Sequence, residues 1–347
     1  MYSTKSYAAY NDKDELKSYE FNRREVGPKD IEIDILYCGV CHSDIHMVRN
    51  DWGMSAYPLV PGHEIIGRVK KLGADAQGFS EGQLVGVGCM VDSCRKCEPC
   101  KQDVEQHCDK GMVMTYGSPD SHNADAITQG GYSTRIVVDQ DFVLKVSENL
   151  DSKSVAPLLC AGITTYSPLR QWNVKSGDKV GVIGLGGLGH MGVKLASAMG
   201  AHVVMITTSP EKGEDAKRLG ASDVLVSKNE EQMSAHVGTF DFLLNTIPVA
   251  HNIDPYVPLL KLGKTMAVVG ATPIELNTMG LVFGRKIIAG SLIGGIKETQ
   301  EMLDFCAEHN IVSDVETIDI EDINTAYERV MKSDVKYRFV IDMKSMK

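Results

Sequence analysis

The spacing of apolar and polar positions changes character twice along the chain. Up to about residue 150 it favours short strands. Ile31-Glu32-Ile33-Asp34-Ile35 alternates apolar and charged residues, as a half-buried strand does. Gly62, Gly67, Gly73, Gly78, Gly82, Gly86 and Gly88 then punctuate the sequence, with Ile65-Ile66 and Leu84-Val85 as brief apolar runs between them. This texture predicts an antiparallel or barrel-like β domain. From about Asp151 apolar runs alternate with helix-length segments: 179–183, 202–206, 224–226, 240–244 and 264–269 read as strands, with helices around 193–199 and 211–219. Such alternation predicts βαβ units and a parallel sheet. The tail offers one strong helix, 297–309, and a closing strand, 337–341. A lone helix and strand make no domain, so they are expected to return and complete the first one. The expected division is therefore 1–154, 155–292 and 293–347.

Length agrees with that division, because 347 residues exceed one typical core. A hydrophobic share of 43% with 24% charged residues is ordinary globular composition. The net charge of −10 argues against nucleic acid or an anionic membrane surface as a partner. No apolar run is long enough to span a bilayer, and the N-terminal residues lack the apolar core of a signal peptide.

Two loops carry chemistry. Gly184-Leu185-Gly186-Gly187-Leu188-Gly189 matches G-x-G-x-x-G between a predicted strand and a predicted helix. Those glycines permit a tight turn and close approach of backbone to a pyrophosphate, which then sits on the helix N-terminus. An NAD site usually places an acid about 20 residues on. Here strand 202–206 runs into Thr207-Thr208-Ser209-Pro210-Glu211-Lys212. Hydroxyls followed by a cation suit a 2′-phosphate, so NADP is favoured over NAD. Glu211 complicates the pocket, although at a helix start it can serve the dipole.

The second loop reads Cys94-x-x-Cys97-x-x-Cys100-x7-Cys108. Four thiolates at this spacing can close a tetrahedron around Zn²⁺, and four protein ligands leave no open position, so the site reads as structural, in a lobe at about 89–110. A pair of disulfides needs an oxidising compartment, and the nine cysteines are an odd number. A cytoplasmic chain with reduced thiols fits better. An iron–sulfur cluster stays open, since bacterial ferredoxins share the C-x2-C-x2-C start. Their fourth cysteine follows a short spacer and precedes proline, whereas Asp109 stands here after a longer one.

Cys41, His63-Glu64 and Cys160 are further metal candidates. Spacing alone does not unite them, and a buried thiol, a loop histidine and a core cysteine remain open readings. Cys38-Gly39-Val40-Cys41 also imitates a redox pair, without the thioredoxin-like βαβ unit that would surround one.

Gly62-His63-Glu64-x-x-Gly67-x5-Gly73 resembles the signature of zinc-dependent medium-chain alcohol dehydrogenases, which also carry a four-cysteine loop and a later glycine-rich motif. Cys38-Gly39-Val40-Cys41-His42-Ser43-Asp44, Asn50-Asp51-Trp52-Gly53, 157–164 and Tyr337-Arg338-Phe339-Val340 are similar to the cinnamyl-alcohol dehydrogenase branch and its bacterial NADPH-dependent aldehyde reductases. The resemblance implies a GroES-like β-rich catalytic domain with a Rossmann-type nucleotide domain, two zinc ions per chain and a homodimer. It implies that Cys41, His63 and Cys160 bind a catalytic zinc, with Glu64 close enough to serve as a transient ligand. Ser43, His46 and Asp51 match a proton relay, with His42 more structural. Gly184 to Gly189, Thr207, Thr208, Ser209, Lys212, Thr246, Gly270, Ser291, Leu292 and Ile293 match cofactor contacts.

Two departures bear on specificity. Gly213 stands where related chains often add a second cation after Lys212, which weakens NADP selectivity. Met114 stands where plant lignin enzymes carry a pocket tryptophan, leaving Trp52 and Ile293 as further walls. Methionine adapts its shape, so broad aromatic and aliphatic aldehydes are expected as substrates. An NAD-dependent polyol or secondary-alcohol dehydrogenase would place an acid near Thr207. A non-catalytic NADPH-binding relative would have lost Cys41, His63 or Cys160.

Overall fold

The alternating segment 31–35 lies inside the long strand Asp30–Gly39, which organises the first of two compact units in the computed structural model. The structure describes residues 2–120 and 122–346, the side chains of 2 and 123–125 excepted. One unit comprises residues 1–160 and 294–347, the other 161–293.

In the first unit, Ile65–Leu72 runs antiparallel along one side of Asp30–Gly39. Arg135–Asp139 takes the first half of the other side, and Arg338–Asp342 takes its last residues. Leu84–Val87 and Leu144–Lys145 extend the sheet outward, and Val315–Ile318 forms the opposite edge. The central strand is not half-buried as its pattern predicts. Ile31 and Ile33 are buried, and so are Asp30 and Glu32. Arg24 and the Gly27 N–H bind the Asp30 carboxylate, and Arg135 pairs with Glu32 at 3.1 Å. Neutralising partners let the polar face be covered as well.

Helix His42–Val48 begins three residues after this strand ends. Asp44, in its first turn, accepts the Cys41 N–H at 2.9 Å, so the residue that starts the helix also fixes the cysteine before it.

The second unit holds a six-stranded parallel sheet. Its order is Asp223–Val226, His202–Thr207, Lys179–Ile183, Phe240–Asn245, Leu260–Val268, Ile287–Gly290. Chain order reverses between Lys179–Ile183 and Phe240–Asn245, the switch point where α/β sheets bind ligands at the carboxyl ends of their strands. The helix after Lys179–Ile183 is Gly189–Ala198, which starts earlier than its apolar pattern predicts. Segment 211–219 gives a single turn at Pro210–Lys212 and a short helix Gly213–Arg218. Among the described residues, no helix is long and apolar enough to cross a membrane.

Candidate active site and metal centres

The four-cysteine loop closes on itself. The sulfurs of Cys94, Cys97, Cys100 and Cys108 all lie within 4.8 Å of one another. Cys97 and Cys100 are 3.3 Å apart, Cys97 and Cys108 3.9 Å, Cys94 and Cys100 4.0 Å. Zinc–sulfur bonds of about 2.3 Å in a tetrahedron put sulfurs about 3.8 Å apart, so the set fits the ion. The Cys97 N–H approaches the Cys94 sulfur at 3.4 Å. Backbone N–H groups of Lys96 and Cys97 pull the Cys94 thiol down to about 6, which favours the ligating thiolate. Arg95, held at φ 58°, ties the loop to Asp92, Asp139 and Asp141. All nine cysteines are free thiols.

A second cluster joins Cys41, His63, Glu64 and Cys160, all buried, with ligand atoms again within 4.8 Å of one another. The Cys41 and Cys160 sulfurs are 3.8 Å apart, the edge of a zinc tetrahedron. Cys41 precedes helix His42–Val48, His63 and Glu64 precede strand Ile65–Leu72, and Cys160 sits in an irregular turn before helix Ala161–Gln171. Asp44 ties the first two segments together. One of its oxygens accepts from Gly62 N–H at 3.1 Å and lies 3.0 Å from His63 Nδ1. The other accepts from Cys41 N–H at 2.9 Å and Tyr132 OH at 3.4 Å. A fully buried carboxylate thereby holds the His63 tautomer whose Nε2 is free for a metal.

Glu64 adds a carboxylate to the same cavity. Oε1 is bound by buried Arg338 from the C-terminal strand, whereas Oε2 has no hydrogen-bond partner among the described residues. Burial pushes the carboxyl up to about 7 against the pull of Arg338. Gly39 makes room for it, since a Cβ there would meet Oε2 at 1.9 Å. An unpartnered buried oxygen beside two thiols and an imidazole is chemistry that suits a cation.

Ser43 and His46 lie on helix His42–Val48, and His46 Nδ1 is 2.7 Å from Asp51 Oδ2. The His46 ring also lies against Trp52, at 5.3 Å between centroids. Met114 is half-buried against Met47, Leu59 and Tyr116, where it can change shape with its neighbours. Burial holds the His42 imidazole below the usual histidine range.

In the second unit the glycine loop lies where chain order reverses. Gly184 has φ 92°, and a Cβ on Gly189 would meet Gly184 O at 1.9 Å, so glycine is required at both. Lys212 folds over this loop, with Nζ 3.4 Å from Leu185 O. Thr207, at the end of its strand, accepts the Ser209 N–H at 3.1 Å, and Thr208 is exposed. Thr246 bonds back to Ile183 O and Gly184 O. Gly270 and Ser291 follow the next two strands, and Leu292 is exposed while Ile293 is buried. The cradle, the ten-residue helix behind it and the cation above it suit a dinucleotide.

Asp44 and Arg338 were the residues that sequence reasoning missed. Each leaves a signal: an acid three positions after Cys41, and a charge inside the otherwise apolar run 337–341.

A parallel sheet with a glycine turn at its switch point and a β unit holding two cysteine clusters that could bind metal fit a metal-dependent dehydrogenase. The chain belongs to the zinc-binding alcohol dehydrogenase family: residues 27–148 match the alcohol dehydrogenase GroES-like domain and 187–308 the zinc-binding dehydrogenase domain. It is 54% identical to the aldehyde reductase YahK of Escherichia coli over 99% of both chains. It is 53% identical to mannitol dehydrogenase of Petroselinum crispum, over 94% of this chain and 98% of that one. Among solved structures, the cinnamyl alcohol dehydrogenase of Helicobacter pylori, complexed with NADP(H), superposes with a TM-score of 0.92 at 43% identity, covering 99% and 98% of the two chains. The chain is a zinc-dependent alcohol dehydrogenase/aldehyde reductase.

Proposed function

We propose that this protein reduces aromatic and aliphatic aldehydes to primary alcohols with NADPH, and runs the reverse reaction with NADP. The observation that carries this reading is the buried Cys41–His63–Cys160 set, with its 3.8 Å sulfur pair and Asp44 behind the imidazole. Three ligands leave a coordination position for substrate oxygen, unlike the four-thiolate lobe. Zinc there supplies Lewis-acid polarisation of the carbonyl, and the dinucleotide supplies the hydride.

The chain's own residues do the rest. Asp44 keeps His63 in one tautomer and Cys41 in place. Glu64, with one oxygen on Arg338 and the other without a partner among the described residues, would be close enough to serve as a transient ligand of a zinc held there. Ser43 presents a hydroxyl to the reacting oxygen, and His46, oriented by Asp51, exchanges the proton with solvent. Gly184 to Gly189 receive the pyrophosphate; Thr207, Thr208, Ser209 and Lys212 receive the 2′-phosphate; Thr246, Gly270, Ser291, Leu292 and Ile293 complete the cofactor contacts. The complex of the Helicobacter relative with NADP(H) supports this cofactor. Trp52 and Met114 of the first unit wall the substrate pocket, whose adaptable methionine favours breadth over one lignin precursor. Family membership and the four sulfurs of the lobe support a second, structural zinc.

We read the assembly as a homodimer formed through the edge strand Ile287–Gly290. Leu262, Val282, Phe283 and Ile287 are exposed large apolar residues on or beside that edge. A monomeric mass by light scattering would overturn it.

Steady-state kinetics with NADPH and NADH, over benzylic, cinnamyl and aliphatic aldehydes, tests the reading. A higher kcat/KM with NADPH across several aldehydes is expected. Equal values for both cofactors would defeat the 2′-phosphate assignment, and turnover of polyols with NAD alone would replace it.

A further inference from the structure

The loop that props the glycine turn is itself held by an imidazole. Strand Phe240–Asn245 ends in the fully buried Asn245. Thr246 follows, its hydroxyl 2.9 Å from Ile183 O and 3.0 Å from Gly184 O. A Cβ on Gly270 would meet Ile247 O at 2.5 Å, so this loop is wedged against the Gly184 turn and the Gly270 turn alike. The Asn245 amide reads two points on it. Oδ1 accepts from the Ile247 N–H at 3.2 Å, and Nδ2 lies 2.8 Å from His251 Nε2. His251 Nδ1 lies 2.7 Å from Val249 O. A carbonyl only accepts, so Nδ1 carries the proton. The amide, oriented by Ile247, offers only N–H to the ring, so Nε2 accepts. The neutral imidazole in its Nδ1–H tautomer alone meets both demands.

We propose that His251 is a positioning residue for the dinucleotide: neutral, it latches the loop 246–251 to Asn245 and keeps the glycine cradle in binding shape; protonated, it releases the latch. This rests on the dinucleotide reading above. An added proton on Nε2 faces the Asn245 amide N–H and finds no acceptor. Turning the amide would satisfy it only by setting the NH₂ group against the Ile247 N–H. A second proton on the ring removes the Nε2 acceptor that the latch requires, so the latch holds only while the imidazole is neutral. The acids on flanking segments are Glu275, on the strand Ile274–Glu275 paired with His251–Asn252, and Asp254, which accepts the Asn277 N–H at 2.6 Å. Asp241, at the far end of Phe240–Asn245, is tied to Lys261 and Lys264. Among the described residues, none of these acids bonds the His251 ring.

NADPH binding, followed by cofactor fluorescence in the full chain at about pH 8 and about pH 5.5, tests the latch in wild type, His251→Gln and His251→Ala. Glutamine keeps an acceptor oxygen and cannot ionise. The 2′-phosphate of NADPH titrates alike in all three, so ratios of Kd isolate the imidazole. The wild-type Kd should match that of the glutamine variant at the higher pH and exceed it about threefold to tenfold at the lower, the size of one hydrogen bond. Alanine should weaken binding at both. A ratio that does not change with pH, or an alanine variant binding as tightly as wild type, overturns the proposal. ¹⁵N spectra of the His251 ring should show the Nδ1–H tautomer at the higher pH, and the Nε2–H tautomer would overturn the latch whatever the affinities. Absence of NADPH binding by folded wild type would instead sink the dinucleotide reading, with the tautomer still deciding the latch.

Discussion

The two candidate metal sites of the first unit use similar donors and reach them by opposite routes. At the lobe, four sulfurs come from one loop, and backbone N–H groups of the same loop support them. At the open site, Cys41, His63 and Cys160 arrive from three separated segments, and buried groups that are not ligands set their places. Asp44 joins two of those segments, and Arg338 brings the C-terminal strand to Glu64. A local site can be lost without disturbing the chemistry, whereas a site assembled from distant segments depends on its supports. Damage at the lobe should therefore appear as instability, and damage at the open site as lost turnover.

The largest expected effect separates the two directly. Cys160→Ala removes one of the three proposed ligands and should lower kcat/KM about a thousandfold or more, the scale of lost Lewis-acid stabilisation. Metal analysis should fall from two zinc ions per chain to one, while NADPH affinity stays unchanged. Retained turnover in a variant verified to hold one zinc would sink the ligand assignment. The converse is Cys100→Ser at the lobe. Structural zinc contributes folding free energy directly, so the unfolding temperature should drop by about 10 °C or more. The remaining folded enzyme should keep its kcat. A variant of unchanged stability but low kcat would mean that the lobe takes part in the reaction.

How legible each site was in the sequence follows the same division. The lobe could be read from spacing alone, because all its ligands are neighbours in the chain. The glycine loop was legible for a similar reason, standing between a predicted strand and a predicted helix. Cys41, His63 and Cys160 were not joined by spacing; only the resemblance of Gly62-His63-Glu64 and its surroundings to a family united them. Their supports were invisible because the interactions are long-range: Arg338 meets Glu64 across most of the chain, and Tyr132 reaches Asp44 from another loop. Glu32 misled for that reason too. Its alternation with Ile31 and Ile33 reads as one wet face, but Arg135 from a distant strand covers it. Segment 211–219 reads in the sequence as one helix, but the structure divides it into the Pro210–Lys212 turn and a shorter helix from Gly213.

The smallest of these effects is the most discriminating, because it touches no ligand. Asp44 accepts four hydrogen bonds, from Gly62, His63, Cys41 and Tyr132. Asp44→Asn keeps the shape but replaces one accepting oxygen with an NH₂ group. That group must face either the Cys41 N–H or the protonated His63 Nδ1, so one ligand loses its anchor. Partners of this kind typically tune metal affinity by about 10–100-fold. Competition with a chelator should show that loss at the open site, with the lobe zinc released as in wild type. At saturating zinc, kcat should recover most of its value, since the three proposed ligands and the proposed relay are intact. Equal zinc retention in the two proteins would show that the segments carrying Cys41 and His63 hold their geometry without Asp44. The distinction between a local and an assembled site would then rest on the sheet alone.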